Sequence, residues 1–98
     1  MKEKFLTVDE RIKFIGKELM RYRKRARESV NAVSRQTTIS SITIHYIEKG
    51  ERLSSPLIIK TLMNAYRTTV EEQRELESYY LKTKDMKTKE QREMRAQI

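Results

Sequence analysis

The chain of 98 residues has no cysteine, one histidine, one proline and two glycines. Without cysteine there is no disulfide framework, thiolate zinc site or cysteine nucleophile. A single histidine excludes a multi-histidine metal site. Pro56, Gly16 and Gly50 are the only strong backbone breakers, too few for the many turns of a β-sandwich. That scarcity predicts helices joined by tight turns. No apolar run reaches the ~18 residues needed to span a bilayer. The opening Met-Lys-Glu-Lys-Phe-Leu soon meets Asp9 and Glu10, so it lacks the apolar stretch of a signal peptide. The expectation is one soluble cytoplasmic domain with no membrane partner.

What is abundant is positive charge. Lys and Arg number 22 against 14 Asp and Glu, a net charge of +8. A small basic chain favours an anionic partner, nucleic acid before a membrane surface. Residues 1–28 carry ten basic and five acidic side chains, and residues 29–66 only four and two. The middle segment is therefore the heart of the core. Residues 67–98 mix eight basic with seven acidic side chains.

Five helices are predicted. Thr7 and Glu10 form a capping box, with two N–H groups satisfied reciprocally, ahead of a first helix from Val8 to about Arg27. Ile12, Ile15, Leu19, Tyr22 and Ala26 make its apolar stripe. Arg21, Arg23, Lys24, Arg25 and Arg27 crowd its last turns, where cations suit the helix dipole. Ser29 caps a short second helix, Val30 to Gln36, with Val33 as its core residue. Thr37 and Thr38 read as a turn. Ser40 caps a third helix from about Ser41 to Lys49, which buries Ile44 and Ile47, with Ile39 beside them, and Gly50 is its αL stop. The β-branched run 37–47 also fits a strand, but serine before it and glycine after it favour the helix. Pro56 opens a fourth helix to Tyr66, with Leu57, Ile58, Leu62, Met63 and Tyr66 on its apolar face. Thr69 and Glu72 make a second capping box, for a fifth helix from Val70 to about Lys82. Residues 1–82 then form the domain. Residues 83–98 are a charged tail, either a solvated helical extension or disordered.

Ile15-Gly16-x-x-Leu19 followed by Arg23 combines with Ser29, Val33, Ser34, Ile39, Ser40, Ile44 and Ile47-Glu48-x-Gly50. Pro56, Leu57, Leu62, Ala65-Tyr66 and Glu71-Glu72-x-Arg74-x-Leu76 continue the series. This pattern resembles the lambda-repressor-like (Xre) helix-turn-helix family over about Ile12 to Tyr80. The resemblance implies an all-α, five-helix DNA-binding domain whose third helix lies in the major groove. Ser40, Ser41, Ile42, His45 and Tyr46 match its recognition positions. Val30 and Asn31 stand where the second helix meets a phosphate through its N-terminus. Arg23 and Glu48 resemble the ion pair that ties the first helix to the recognition helix. The chain departs from the family pattern where glycine is usual at Arg27 and Thr38, an apolar residue at Glu28 and Thr37, glutamine at Val30, and alanine at Ser34.

The third helix has no Arg, Asn or Gln from Ser40 to Glu48, so bidentate readout of guanine or adenine is missing. Ser41 and Thr43 offer hydrogen bonds, and Ile42 a contact for a thymine methyl. Arg23, Arg27, Arg35 and Lys49 are candidate phosphate contacts, with Arg52 beyond the helix and Asn31 on the second helix. His45 is read as a surface contact rather than a metal ligand, because nothing else supplies the three or four ligands zinc requires. Glu71, Glu72, Glu75 and Glu77 read as an i,i+4 charged surface, not an acid–base pair. No catalytic residue, metal or cofactor is expected. The expected partners are double-stranded DNA and a second copy of the chain, which pairs through the fifth helix and tail by Tyr79, Tyr80 and Leu81. Because Ile42 and Tyr46 are apolar, another regulatory protein is the alternative partner.

Overall fold

The computed structural model describes residues 6–96, which hold five helices and no strand: α1 (Val8–Arg25), α2 (Val30–Thr37), α3 (Ser41–Glu48), α4 (Pro56–Ala65) and α5 (Val70–Ala96). A hydroxyl stands at the start of each. Thr7 Oγ1 accepts from the Glu10 amide while Glu10 returns a bond to the Thr7 amide. Ser29, Ser40 and Ser55 accept from the amides of Ala32, Thr43 and Ile58. Thr69 and Glu72 exchange the same pair of bonds as Thr7 and Glu10. Each cap satisfies amides that have no partner inside the helix.

The helix ends are equally regular. After α1, the Arg27 amide donates to Lys24 O and the Glu28 amide to Arg23 O. The same pair of bonds closes α3 at Gly50 and Glu51, and α4 at Arg67 and Thr68. These are Schellman closures, which need a left-handed residue just past the helix. Gly50 takes that conformation with φ 75°. Arg27 and Arg67 take it too, at 59° and 54°, and Thr38 ends α2 at 62°. A chain with two glycines thus turns three of these four corners on side-chain-bearing residues.

Ile15, Leu19 and Tyr22 of α1 meet Val33, Ile44, Ile47, Ile59, Leu62, Met63, Tyr66, Leu76 and Tyr80 in one buried cluster. α3 lies against α1 at Gly16, where a Cβ would come within 2.2 Å of the Ile47 carbonyl oxygen. Only a glycine allows that approach, and it sets how far α3 stands from the rest of the body.

Several predicted details change. α1 ends at Arg25 rather than Arg27, because the Schellman closure consumes the next two residues. Thr37 is the last residue of α2 rather than part of the turn, since its hydroxyl donates back to Val33 O at 2.7 Å. Leu57 does not join the apolar face of α4. It sits in the first turn, 73% exposed, and the buried stripe is Ile59, Leu62, Met63 and Tyr66. Tyr80 is buried in the core, whereas Leu81 is 58% exposed. α5 runs on to Ala96, so the charged segment is helical that far. Its first residue, Thr83, is wholly buried and belongs to the packed body. Residues 1–5, weighed above as a leader, and residues 97–98 of the tail lie outside the described residues. No helix among the described residues is long and apolar enough to cross a membrane.

Candidate nucleic-acid interface

The α2–α3 corner is built from three residues. Thr38 is left-handed, and its amide donates to Ser34 O. The Ile39 amide donates to Thr37 Oγ1 at 3.2 Å. Ser40 is extended and caps α3 through the Thr43 amide, while its hydroxyl also donates to Thr43 Oγ1 at 2.8 Å. Ile39 packs against the core. The corner is therefore held by its own hydrogen bonds and by burial, which fixes α3 relative to α2.

The 3.6-residue period divides α3 into two faces. Ile44, Ile47 and Glu48 are buried, and Ile42, His45 and Tyr46 are exposed, with Lys49 continuing that stripe. Ser41 and Thr43 flank it, half-buried. Ile42 is 65% exposed and Tyr46 41%. The Arg52 guanidinium lies over the Tyr46 ring, 5.4 Å from its centroid. The structure thus brings Tyr46 and Arg52 together, and Ser40 with Thr43. Asn31 is exposed in the first turn of α2, with no bond to the α3 residues.

Arg27, Arg35 and Lys49 are exposed and make no ion pair among the described residues. Arg23 differs. Its Nε and Nη2 donate to the two Glu48 carboxylate oxygens at 2.7 and 3.0 Å, and its Nη1 donates to Glu28 O at 3.0 Å. Its side chain is 13% exposed and that of Glu48 5%. All three nitrogens are engaged, so Arg23 is a strut between α1 and α3, with one N–H left over on each of Nη1 and Nη2. The bonds from Glu48 hold the Arg23 guanidinium above its ordinary pKa. The Tyr66 hydroxyl, buried without a hydrogen bond among the described residues, is also pushed up, by burial and then by the Glu48 charge. The rest of the basic run on α1 is largely neutralised: Arg21 pairs with Glu18, and Arg25 with Glu72.

One buried group had no signal in the sequence. Arg11, a charged residue in the first turns of α1, is only 4% exposed. It packs at 3.8 Å over the Tyr79 ring, and its Nε donates to Thr83 Oγ1 at 2.9 Å. The pairing joins residues 72 positions apart, too far for any local pattern to reveal.

No curated protein and no solved structure matches the chain. A family model described as a helix-turn-helix domain matches residues 15–76, from the Ile15-Gly16 pair on α1 to Leu76 on α5. That span holds every element of the site, and the chain belongs to this family, in the lambda-repressor-like class of helix-turn-helix domains.

Proposed function

We propose that this protein is a DNA-binding transcriptional regulator of the phage or mobile-element type, with α3 as its recognition helix. The observation that carries the reading is the exposed stripe of Ile42, His45, Tyr46 and Lys49 on a helix held by the α2–α3 corner and the Arg23–Glu48 strut. In the major groove, Ile42 meets a thymine methyl, and Ser41, Thr43 and His45 supply hydrogen bonds to base edges or phosphates. The first amides of α2, at Val30 and Asn31, take a phosphate with the help of the helix dipole. Arg27, Arg35, Lys49 and Arg52 add phosphate contacts that provide most of the affinity.

One module of this size reads only a few base pairs, so two copies bind half-sites about 34 Å apart. Leu57 and Leu81 favour pairing through α4 and α5. They are the exposed apolar rims of a small groove of about 240 Å³ that also includes Pro56, Lys60 and Glu77.

A second reading has its own support. With no bidentate reader on α3 and two large apolar side chains exposed there, the same face suits a regulatory protein as partner, as in an antirepressor. Fluorescence anisotropy with a random 20-base-pair duplex, measured across salt concentrations, separates the two. The DNA reading predicts a log–log slope of about −0.9 per phosphate, or about −3 to −4 per protomer from the four free cations. Absence of binding at low salt, or a flat response, favours the protein partner.

A further inference from the structure

The long cleft between α1 and α5 plays no part in the reading above. It is an open groove of about 710 Å³, within the range that holds small molecules. Its floor is aromatic. The Phe14 and Tyr79 rings lie 5.0 Å apart, and Phe14 remains 40% exposed. Arg11 lines the cleft beside Tyr79, nearly buried and with no carboxylate within 4.0 Å among the described residues. Its Nε and Nη2 are bound to Thr83 and to Tyr79 O, and Nη1 makes no hydrogen bond among the described residues. Arginines 21, 23 and 25 on the same helix each have a carboxylate of their own. A buried charge is ordinarily paired. Arg74 and Lys82 add two more cations to the lining, against Glu18 and Glu75, and Glu18 is already engaged by Arg21. With Glu18 taken by Arg21, three cations face Glu75 alone, so the cleft has two positive charges unmatched beside its aromatic surface.

We propose that this α1–α5 cleft binds a small aromatic monocarboxylate, whose ring packs on Phe14 and Tyr79 and whose carboxylate accepts from Arg11. Ring-on-ring packing suits a planar ligand, and the guanidinium edge suits a carboxylate. The site is independent of the DNA face. Arg11, Phe14 and Glu18 recur at the spacing of one side of α1. Lys13, Gly16 and Arg23, which meet the α3 end of the fold, fall on the opposite side. Both ligands fit at once.

The test is an amide ¹H–¹⁵N titration of the full chain with benzoate and 2-naphthoate, and with neutral benzamide as the control. The expected result is saturable shifts confined to residues 11–18 and 75–82. A Kd on the order of 1 mM is expected for benzoate, from the binding energy that so few atoms supply. Naphthoate binds more tightly and benzamide not measurably. Phe14→Ala, at an exposed position that leaves the fold intact, weakens naphthoate about three- to tenfold. Arg11→Met abolishes carboxylate binding. If that variant loses its helical circular dichroism, Lys82→Gln replaces it and weakens binding, since it removes a lining cation at an exposed position. No saturable shift with either carboxylate, equal response to benzamide, or full binding by the Phe14 variant overturns the proposal. None of these readouts involves DNA, so this site and the α3 reading stand or fall separately.

Discussion

Backbone conformation at a few single residues departs most from what side-chain chemistry prefers. Thr38 is β-branched, exposed and left-handed. Such a residue costs about 1–2 kcal/mol in that conformation, and glycine escapes most of it at some expense in unfolded-state entropy. Thr38→Gly should therefore stabilise the fold by about 0.5–1 kcal/mol, seen as a higher urea midpoint with an unchanged slope. The family's usual glycine at this position and at Arg27 hinted at the conformation, but nothing in Thr38 or Arg27 itself signals it. At Arg23 the sign reverses. Arg23→Ala leaves the Glu48 carboxylate buried and unpaired, a loss on the order of 3 kcal/mol. The double replacement Arg23→Met with Glu48→Leu should recover most of it, because no charge is then stranded. Equal stability of Arg23→Ala and the parent contradicts the strut.

Titration enters at the same scale. Arg25 and the Thr69 amide hold the Glu72 carboxyl down at about 2, against an ordinary 4.5. A lowered folded pKa means that the ionised group stabilises the fold above pH 4.5, and that this contribution drains away as the pH falls toward 2. Arg25 is half-exposed, so solvent screens part of the effect. The melting temperature should fall between pH 5 and 2, less steeply for Glu72→Gln than for the parent. Parallel curves for the two proteins contradict the pairing.

At the scale of elements, the helix starts were the most legible feature. Thr7, Ser29, Ser40 and Thr69 are short-range signals, each acting within three residues, and each caps where expected. Ser40→Ala should cost about 1 kcal/mol and loosen the α2–α3 corner, where its hydroxyl makes two bonds. Amide exchange at Thr43 and Ile44 reports it. Faster exchange there is expected, while α5 is unaffected. Helix ends were less legible, because a Schellman closure on arginine has no sequence mark. The outer half of α5 was least so. Its charged residues fit a solvated helix and a disordered tail equally well, and the decisive contact, Thr83 under Arg11, lies far away along the chain. The same distance along the chain hides the buried arginine and the cleft it lines. Leu57 stays out of the core because α4 turns Ile58 and Ile59, one and two residues further on, toward it instead.

For the whole molecule, the closeness of α1 and α3 decides how the candidate DNA face is presented. Gly16 sits so near the Ile47 and Glu48 carbonyls that a methyl group must push the two helices apart. Gly16→Ala should cost about 1–3 kcal/mol, since backbone and not a flexible side chain stands in the way. It should also weaken DNA binding by tilting α3. An intact melting curve for this variant contradicts the close packing. Above all, the outer stripe of α3 is the surface proposed to meet base edges. The most direct test is to select bound sequences from a random duplex pool, in parallel for the parent and for Ser41→Asn and His45→Ala. The parent should enrich a sequence with two half-sites, and both variants should show altered preferences at unchanged melting temperature. No enriched sequence for the parent, or one sequence shared by all three proteins, contradicts it.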